Sequence, residues 1–320
     1  MSAQRLDLQV VGVRLQARDV VSIELRDPHG HDLPAFEPGA HIDLHLPGGL
    51  VRSYSLVNAP EQRDHYLVAV LRDRSSRGGS VWIHDHLRVG QVLPVDPPRN
   101  HFPLHEAAGR SVLIAGGIGV TPLVCMARRL SERGSPVRML YAARSRECAA
   151  FGAELRALGI PVQWHFDDVQ GGPPDLEAFV RDCPTDTHLY ACGPHALLES
   201  FQATCERLGL SHRHIERFGA PPAPAATADD ARDRYIVELR RSGRELKVRP
   251  GQSLLDVLRD ADVDVPFSCT QGVCGSCETA VLDGVPDHRD HLLSEREKAG
   301  GRTMLVCVSG CRSERLVLDL

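Results

Sequence analysis

No stretch of this 320-residue sequence approaches the roughly 20 apolar residues that a membrane helix needs. Its opening, MSAQRLDLQVVGV, lacks the basic segment and long apolar run of a secretion signal. A cytoplasmic protein with no membrane contact is therefore expected. A basic excess is also missing: 37 Lys and Arg stand against 42 Asp and Glu, for a net charge of -5, which argues against nucleic acid as a partner. No internal repeat of about 20 to 50 residues is visible, so solenoids and propellers are set aside. Histidine pairs at metal-ligand spacing are lacking as well. His84 and His86, like His212 and His214, are two apart with no matching pair downstream, and read as ordinary surface or partly buried side chains.

What is present in quantity is cysteine, ten residues in a long chain without a secretion signal, which favours metal or redox chemistry over disulfides. Cys125, Cys148, Cys183 and Cys205 are scattered through apolar contexts and read as small buried hydrophobes. Three others crowd into FSCTQGVCGSCETAVLDG, where four residues separate Cys269 from Cys274 and two separate Cys274 from Cys277. Cys307 follows after 29 more residues, in MLVCVS. This is the spacing of a plant-type [2Fe-2S] site, in which four thiolates hold two tetrahedral irons. Gly272, Gly275 and Ser276 leave room for backbone N–H groups to turn toward the sulfurs. A zinc site would normally show two C-x-x-C pairs, and only one exists. Cys311 is the rival fourth ligand. Cys307 is preferred because it ends an apolar run, as a strand-borne ligand should, whereas Cys311 follows Ser309-Gly310 in an expected turn.

The chain is long enough for two or three domains. Residues 1–103 carry short alternating segments (LQVVGVRLQ, VVSIELRD, HIDLHL, VRSYSLVN, YLVAVLRD) punctuated by Gly and Pro, the pattern of an antiparallel β-barrel. From Ser111 the rhythm changes. SVLIAGG, a helix over 122–133, VRMLYAA, VQWHF, a segment at 174–182, HLYACGP and a helix over 195–208 predict an α/β domain with a parallel sheet over 104–220. The prolines and alanines of GAPPAPAATADDARD break every periodic pattern and mark a linker, placed at 221–233. Beyond it, 234–320 opens with a hairpin, YIVELRRSGRELKVRP, and a short helix, SLLDVLRDADV.

A [2Fe-2S] cluster moves one electron at a time and nicotinamide gives up two as a hydride, so a flavin is sought between them. In the barrel, Arg52-Ser53-Tyr54-Ser55 offers a cation for a phosphate, an aromatic ring for the isoalloxazine and a hydroxyl for its reactive edge. Arg77-Gly78-Gly79-Ser80 precedes a helix-like VWIHDHL and makes an anion site from an Arg, a hydroxyl and backbone N–H groups. GGIGVTP leaves an apolar strand and enters a helix, so Gly116, Gly117 and Gly119 allow a dinucleotide close to the backbone. Cys192-Gly193-Pro194 ends a strand at the carboxyl edge, where ligands bind in open α/β sheets.

R-x-Y-S, GGIGVTP, CGP and a C-terminal plant-type ferredoxin domain, in that order, resemble the phthalate dioxygenase reductase family, a branch of the ferredoxin-NADP reductase superfamily. The resemblance covers the whole chain and implies a β-grasp fold for the last domain. It implies FMN as the flavin, held by Arg52, Ser53, Arg77, Gly78, Gly79 and Ser80, with Ala69, Val70 and Leu71 along the neighbouring strand. Relatives often carry Lys where this chain has Leu71. Thr121 and Phe218 would also match flavin contacts, Phe218 covering the ring until nicotinamide arrives. Cys192 would lie near the nicotinamide C4, which makes Ser55 and Cys192 the candidates beside the reacting atoms. The family generally uses NADH, although Arg144, Ser145 and Arg146 could receive the 2'-phosphate of NADPH.

The expected function is that of a monomeric NADH-dependent reductase that passes electrons through FMN and the cluster to a separate terminal oxygenase of the Rieske type acting on aromatic substrates. A cytochrome P450 or another acceptor is the alternative, and a redox sensor the minor one. The last domain holds 13 Lys plus Arg against 14 Asp plus Glu, too balanced for steering by one sign of charge, so docking specificity must lie in local patches. Asp287-His288-Arg289-Asp290 resembles a family segment near the cluster and reads as a solvated loop.

Overall fold

The computed structural model describes residues 5–220 and 234–320, so the linker expected at 221–233 lies outside the described residues. The chain forms two compact units, Met1–Arg217 and Phe218–Leu320.

The first unit opens with β1 (Leu6–Ala17), β2 (Val20–Arg26), β3 (His41–Leu46), β4 (Leu50–Ser55) and β5 (Tyr66–Leu71), then α1 (Gly79–His86) and β6 (Val92–Arg99). These strands form a six-stranded antiparallel sheet in the order β4-β3-β6-β1-β2-β5. A bridge between Leu56 and Val68 joins its two edges and makes the sheet a barrel. Leu8, Ile23, Leu25, Ile42, Leu44 and Val68 fill the interior and are fully buried. Each such side chain contributes about 1.5–3 kcal/mol. β6 is missing from the sequence reading because Pro94, Pro97 and Pro98 interrupt it. It nonetheless lies between β3 and β1, with a register shift where it meets β3.

The α/β part runs β7 (Ser111–Gly116), α2 (Val120–Glu132), β8 (Val137–Ala143), α3 (Gly152–Ala157), β9 (Val162–Phe166), α4 (Asp167–Gln170), α5 (Leu176–Val180), β10 (His188–Cys192), α6 (His195–Leu208) and β11 (Arg213–Glu216). Its parallel sheet has the order β11-β10-β7-β8-β9. β7 is buried along its whole length, as a central strand covered on both faces must be. The chain leaves β7 toward β8 on one side and later returns to β10 on the other. The reversal of strand order between β7 and β10 marks the carboxyl edge at that point as the place where open α/β sheets take their ligands. Barrel and sheet share a core, in which Val20, Val57, Ala69 and Phe102 pack with Leu113, Val120, Leu123 and Met126.

The second unit holds β12 (Tyr235–Leu239), β13 (Arg244–Val248), α7 (Leu254–Asp260), β14 (Glu278–Asp283), β15 (Pro286–Asp287), α8 (Glu295–Gly300), β16 (Thr303–Leu305), β17 (Gly310–Cys311) and β18 (Arg315–Leu318). The main sheet, in the order β13-β12-β18-β14-β16, is mixed: β12 and β18 run parallel and the other neighbours antiparallel. Leu254, Leu255 and Leu258 of α7 close its core, the arrangement of a β-grasp domain. Ser253 caps that helix by accepting from the Asp256 N–H, which secures so short an element.

The scattered cysteines divide. Cys125 and Cys205 are buried as expected, but Cys148 and Cys183 are only half-buried. Their polar neighbours explain the difference: the Cys183 sulfur accepts from Arg138 at 3.2 Å and the Cys148 sulfur from the Ser145 hydroxyl at 3.4 Å.

Candidate redox-cofactor sites

The cluster loop is built from backbone that only small residues accept. Gly272 has φ +68°, and a Cβ there would meet Val308 Cγ2 at 2.7 Å. Gly275 has φ +73°. These turns bring backbone donors to the sulfurs. The Cys269 N–H points at Cys274 Sγ at 3.4 Å, the Gln271 N–H at Cys269 Sγ at 3.3 Å, and Gly272 donates to the Cys307 sulfur. Ser276 Oγ lies 3.2 Å from Cys274 Sγ.

All four expected ligands are buried and stand in two hydrogen-bonded pairs, Cys269 with Cys274 and Cys277 with Cys307. In each pair one thiol is held up and its partner down. The bond from Cys269 lowers Cys274 to about 5, and the bond from Cys277 lowers Cys307. Four sulfurs gathered in one pocket and supplied with N–H donors fit a group that takes four thiolates.

The strand assignments of the two late cysteines are reversed from expectation. β16 ends at Leu305, and the Ser309 N–H bonds back to the Leu305 carbonyl, so Cys307 sits in a turn that carries it beside Cys277. Cys311 is the strand residue, paired with Pro286. Its sulfur lies 3.2 Å from both the carbonyl and the hydroxyl oxygen of Ser313. The segment Asp287–Asp290 is not the solvated loop expected either. Arg289 and Arg312 hold Asp287, while buried Asp290 accepts from the N–H groups of Leu292 and Leu293.

In the first unit, Arg52 on β4 reaches across to the loop before α1. Its guanidinium donates to the carbonyl oxygens of Val51 and Arg77, each at 2.7 Å. A Cβ on Gly79 would meet Arg52 Cγ at 2.6 Å, so the glycine is what lets Arg52 lie against the helix start. Gly78 has φ +93° and turns the chain into α1. The Ser80 hydroxyl accepts from the Asp73 N–H and donates to Ser76 Oγ. Cationic Arg52, exposed Arg77 and the amino end of α1 thus meet in one place, a fit for a phosphate. Ser53 spends its hydroxyl on buried Asp43 at 2.6 Å, a carboxylate that Arg99 also pairs. Tyr54 is half-buried against the barrel core. On β5, Ala69 and Val70 are buried and Leu71 is exposed.

Close approach explains the glycines of the two crevice loops. A Cβ on Gly119 would fall 2.2 Å from the Cys192 carbonyl oxygen, one on Gly116 2.6 Å from Pro194 Cδ, and one on Gly193 2.9 Å from Gly116 Cα. Gly117 adopts φ +53°. The loops can touch only without side chains there. Thr121, buried in the first turn of α2, donates to the Ile118 carbonyl at 3.0 Å and ties the loop to the helix.

Ser55 and Cys192 come together through a residue the sequence reading passed over. Ser55 donates to Glu216 Oε2 at 3.5 Å, and the Cys192 thiol points at the same oxygen at 4.0 Å. Burial pushes the Glu216 carboxyl up to about 8, opposed by the Ser55 hydrogen bond. Burial likewise holds the Cys192 thiol well above its ordinary value, with Glu216 adding to the shift. Around neutral pH all three groups are uncharged. The signal for Glu216 was its place as the last residue of a strand ending at the carboxyl edge of the sheet. Phe218 is 45 % exposed and begins the second unit.

The profile of the 2Fe-2S iron-sulfur cluster binding domain matches residues 237–312. A phenoxybenzoate dioxygenase subunit beta of Ectopseudomonas oleovorans is 47% identical over 316 residues, covering 98% of this chain and 97% of the relative. The phthalate dioxygenase reductase of Burkholderia cepacia is 40% identical over 324 residues, covering 98% and 97%. A solved phthalate dioxygenase reductase, described as modular for electron transfer from pyridine nucleotides to [2Fe-2S], matches with a TM-score of 0.73 at 39% identity over 99% of this chain and 98% of that one. An intact type IV self-sufficient cytochrome P450 monooxygenase matches with a TM-score of 0.88 at 39% identity, and there this chain spans 41% of the solved chain's length. The chain belongs to the phthalate dioxygenase reductase family: it is an oxidoreductase of the kind that serves as the reductase component of a multicomponent oxygenase, moving electrons through FMN and a [2Fe-2S] cluster.

Proposed function

We propose that this chain oxidises NADH and delivers the electrons singly to a separate Rieske-type oxygenase acting on an aromatic substrate. Residues 1–103 would hold FMN, 104–220 the nicotinamide and 234–320 the cluster. The observation that carries this reading is the meeting of Ser55, at the end of the flavin strand, with Cys192 and Glu216, at the carboxyl ends of the two nicotinamide-side strands. When bound, FMN takes up a hydride as a pair of electrons and the cluster passes electrons on one at a time.

The protein's part is positioning and electrostatics. Arg52, Arg77 and the N–H groups of Gly78, Gly79 and Ser80 would hold the FMN phosphate. Ser53 and Tyr54, with Ala69, Val70 and Leu71 across the barrel and Thr121 at the crevice, would border the ring. Gly116, Gly117 and Gly119 with Gly193 and Pro194 would admit the dinucleotide. Cys192 and Ser55 would orient the nicotinamide. Glu216, kept neutral by burial, places no charge beside them and holds the Ser55 hydroxyl proton in a defined direction. Cys269, Cys274, Cys277 and Cys307 would ligate the cluster.

NADH is favoured over NADPH because the family generally uses NADH and two of the three residues that could receive a 2'-phosphate, Ser145 and Arg146, have contacts of their own. Arg146 lies over the Phe166 ring at 5.1 Å, and Ser145 donates to Cys148. Comparison of kcat/KM for the two nucleotides tests that choice.

The main test is anaerobic titration of purified protein replete in flavin and cluster. NADH should bleach both chromophores, and bleaching of the flavin alone would sink the relay. A second reading, a cytochrome P450 as acceptor, is supported by the match to the P450 monooxygenase chain. Reconstitution with Rieske oxygenases and P450s distinguishes the two.

A further inference from the structure

Four of the 16 histidines in the chain converge at the amino ends of the strands in the parallel sheet, the end opposite the crevice. His188 begins β10, and His214 on β11 stands in register with Tyr190. Side chains two apart on a strand share a face, so His188 with Tyr190 and His212 with His214 project to the same side. His105 arrives on the segment that leads into β7.

His188 Nδ1 and His214 Nε2 are 3.1 Å apart. The His105 ring centroid lies 4.8 Å from those of both His188 and His214, and one nitrogen from each of the three falls within 4.8 Å of the others. His212 stacks on His188 at 4.7 Å with the planes 7° apart.

The grouping is supported from behind. Tyr190 stacks on His214 at 4.5 Å, and its hydroxyl oxygen accepts from the His105 backbone N–H at 2.9 Å. Phe102 packs edge-on against Tyr190. One buried tyrosine therefore fixes both the plane of one imidazole and the backbone of another.

A tetrahedral zinc ion with Zn–N bonds of ~2.0–2.1 Å needs nitrogens about 3.3 Å apart. His188 and His214 stand near that spacing already. His105, on an exposed segment, must close by at most about 1.5 Å. The carboxylate of Asp186 acts on His188 and adds negative charge beside a cation.

We propose that His105, His188 and His214 form a binding site for a divalent transition metal of the zinc type, with the fourth position taken by water. Borderline cations with a preference for imidazole (Zn2+, Ni2+, Cu2+) fit it, and hard oxygen-seeking cations do not. β10 runs four residue steps from His188 to Cys192, about 13 Å at ~3.3 Å per residue, so the metal would not compete with nicotinamide. It would clamp β10, β11 and the segment before β7, and its effect would be on the stability of this sheet.

The experiment uses holoprotein freed of loosely bound metal and titrated with Zn2+ by calorimetry, with flavin and cluster absorbance recorded throughout. One saturable zinc per chain and a rise in Tm are expected. His105→Ala should weaken binding at least tenfold and remove the rise in Tm while leaving NADH-dependent flavin reduction unchanged. His188→Gln should do the same, and exposed His29→Ala should change binding less than twofold. Absence of saturable binding would overturn the proposal. So would zinc uptake unaltered in both the His105→Ala and His188→Gln chains, including uptake by the cluster cysteines with loss of cluster absorbance.

Discussion

The carboxyl oxygen Oε2 of Glu216 lies 3.5 Å from the hydroxyl of Ser55, joining the end of the last strand in the α/β sheet to the end of a barrel strand 161 residues earlier. The same oxygen lies 4.0 Å from the Cys192 sulfur. In the proposed function Glu216 links the two sides of hydride transfer, so Glu216→Ala, which removes the acceptor of the Ser55 hydroxyl, should slow flavin reduction by NADH at least tenfold in stopped-flow measurements, whereas neutral Glu216→Gln should retain most of the rate. Flavin content should be unchanged.

The raised pKa of Glu216 also has a thermodynamic consequence. The unfolded carboxyl ionises near 4.5 and the folded one near 8, so between these values the folded chain binds more protons than the unfolded one. Stability from this group is fully present below about pH 4.5, declines as pH rises and levels off above about 8. Wild-type Tm should therefore fall relative to Glu216→Gln across that window. Parallel Tm curves for the two proteins would count against a buried neutral carboxyl.

Cys307 and Cys311 make a discriminating pair of substitutions. Cys307→Ser should abolish the visible absorbance and the reduced-state EPR signal of the cluster, because it removes the partner of Cys277. Cys311→Ser should retain both, since the Cys311 sulfur is directed at Ser313 and Arg315.

Gly119 has no room for a methyl group: its Cβ would lie 2.2 Å from backbone that cannot step aside. Gly119→Ala should cost about 1–3 kcal/mol in denaturant unfolding of the holoprotein, the usual range for overpacking. It should also raise KM for NADH, because the loop after β7 and the loop after β10 must then part.

Arg52→Ala removes a cation and the side chain that packs on Gly79. Weaker FMN retention by tenfold or more is expected on dialysis, with cluster content intact. Arg52→Lys should recover only part of it, since a single ammonium cannot donate in the planar, multidentate manner of the guanidinium.

Much of the architecture was legible because it is written in short-range pattern. Cysteines spaced by four and two residues, glycines at strand-to-helix turns and the change from alternating to βαβ rhythm need no knowledge of the rest of the chain. β6 escaped because three prolines disguise a strand whose place is secured by its neighbours β1 and β3. Cys307 and Cys311 exchanged strand and turn because hydrogen bonds back to Leu305, not the apolar run before Cys307, decide where β16 stops.

By itself, then, the sequence determined the cysteine loop, the glycine turns at the starts of helices and the order of the folding units, each a matter of local spacing and backbone freedom. Only the tertiary structure decided which distant residues meet. Glu216 joins Ser55 and Cys192 at one edge of the parallel sheet, and His214 joins His188 and His105 at the other, through the register of the parallel strands and the packing of barrel against sheet. Those contacts come from long-range packing, which no spacing along the chain records.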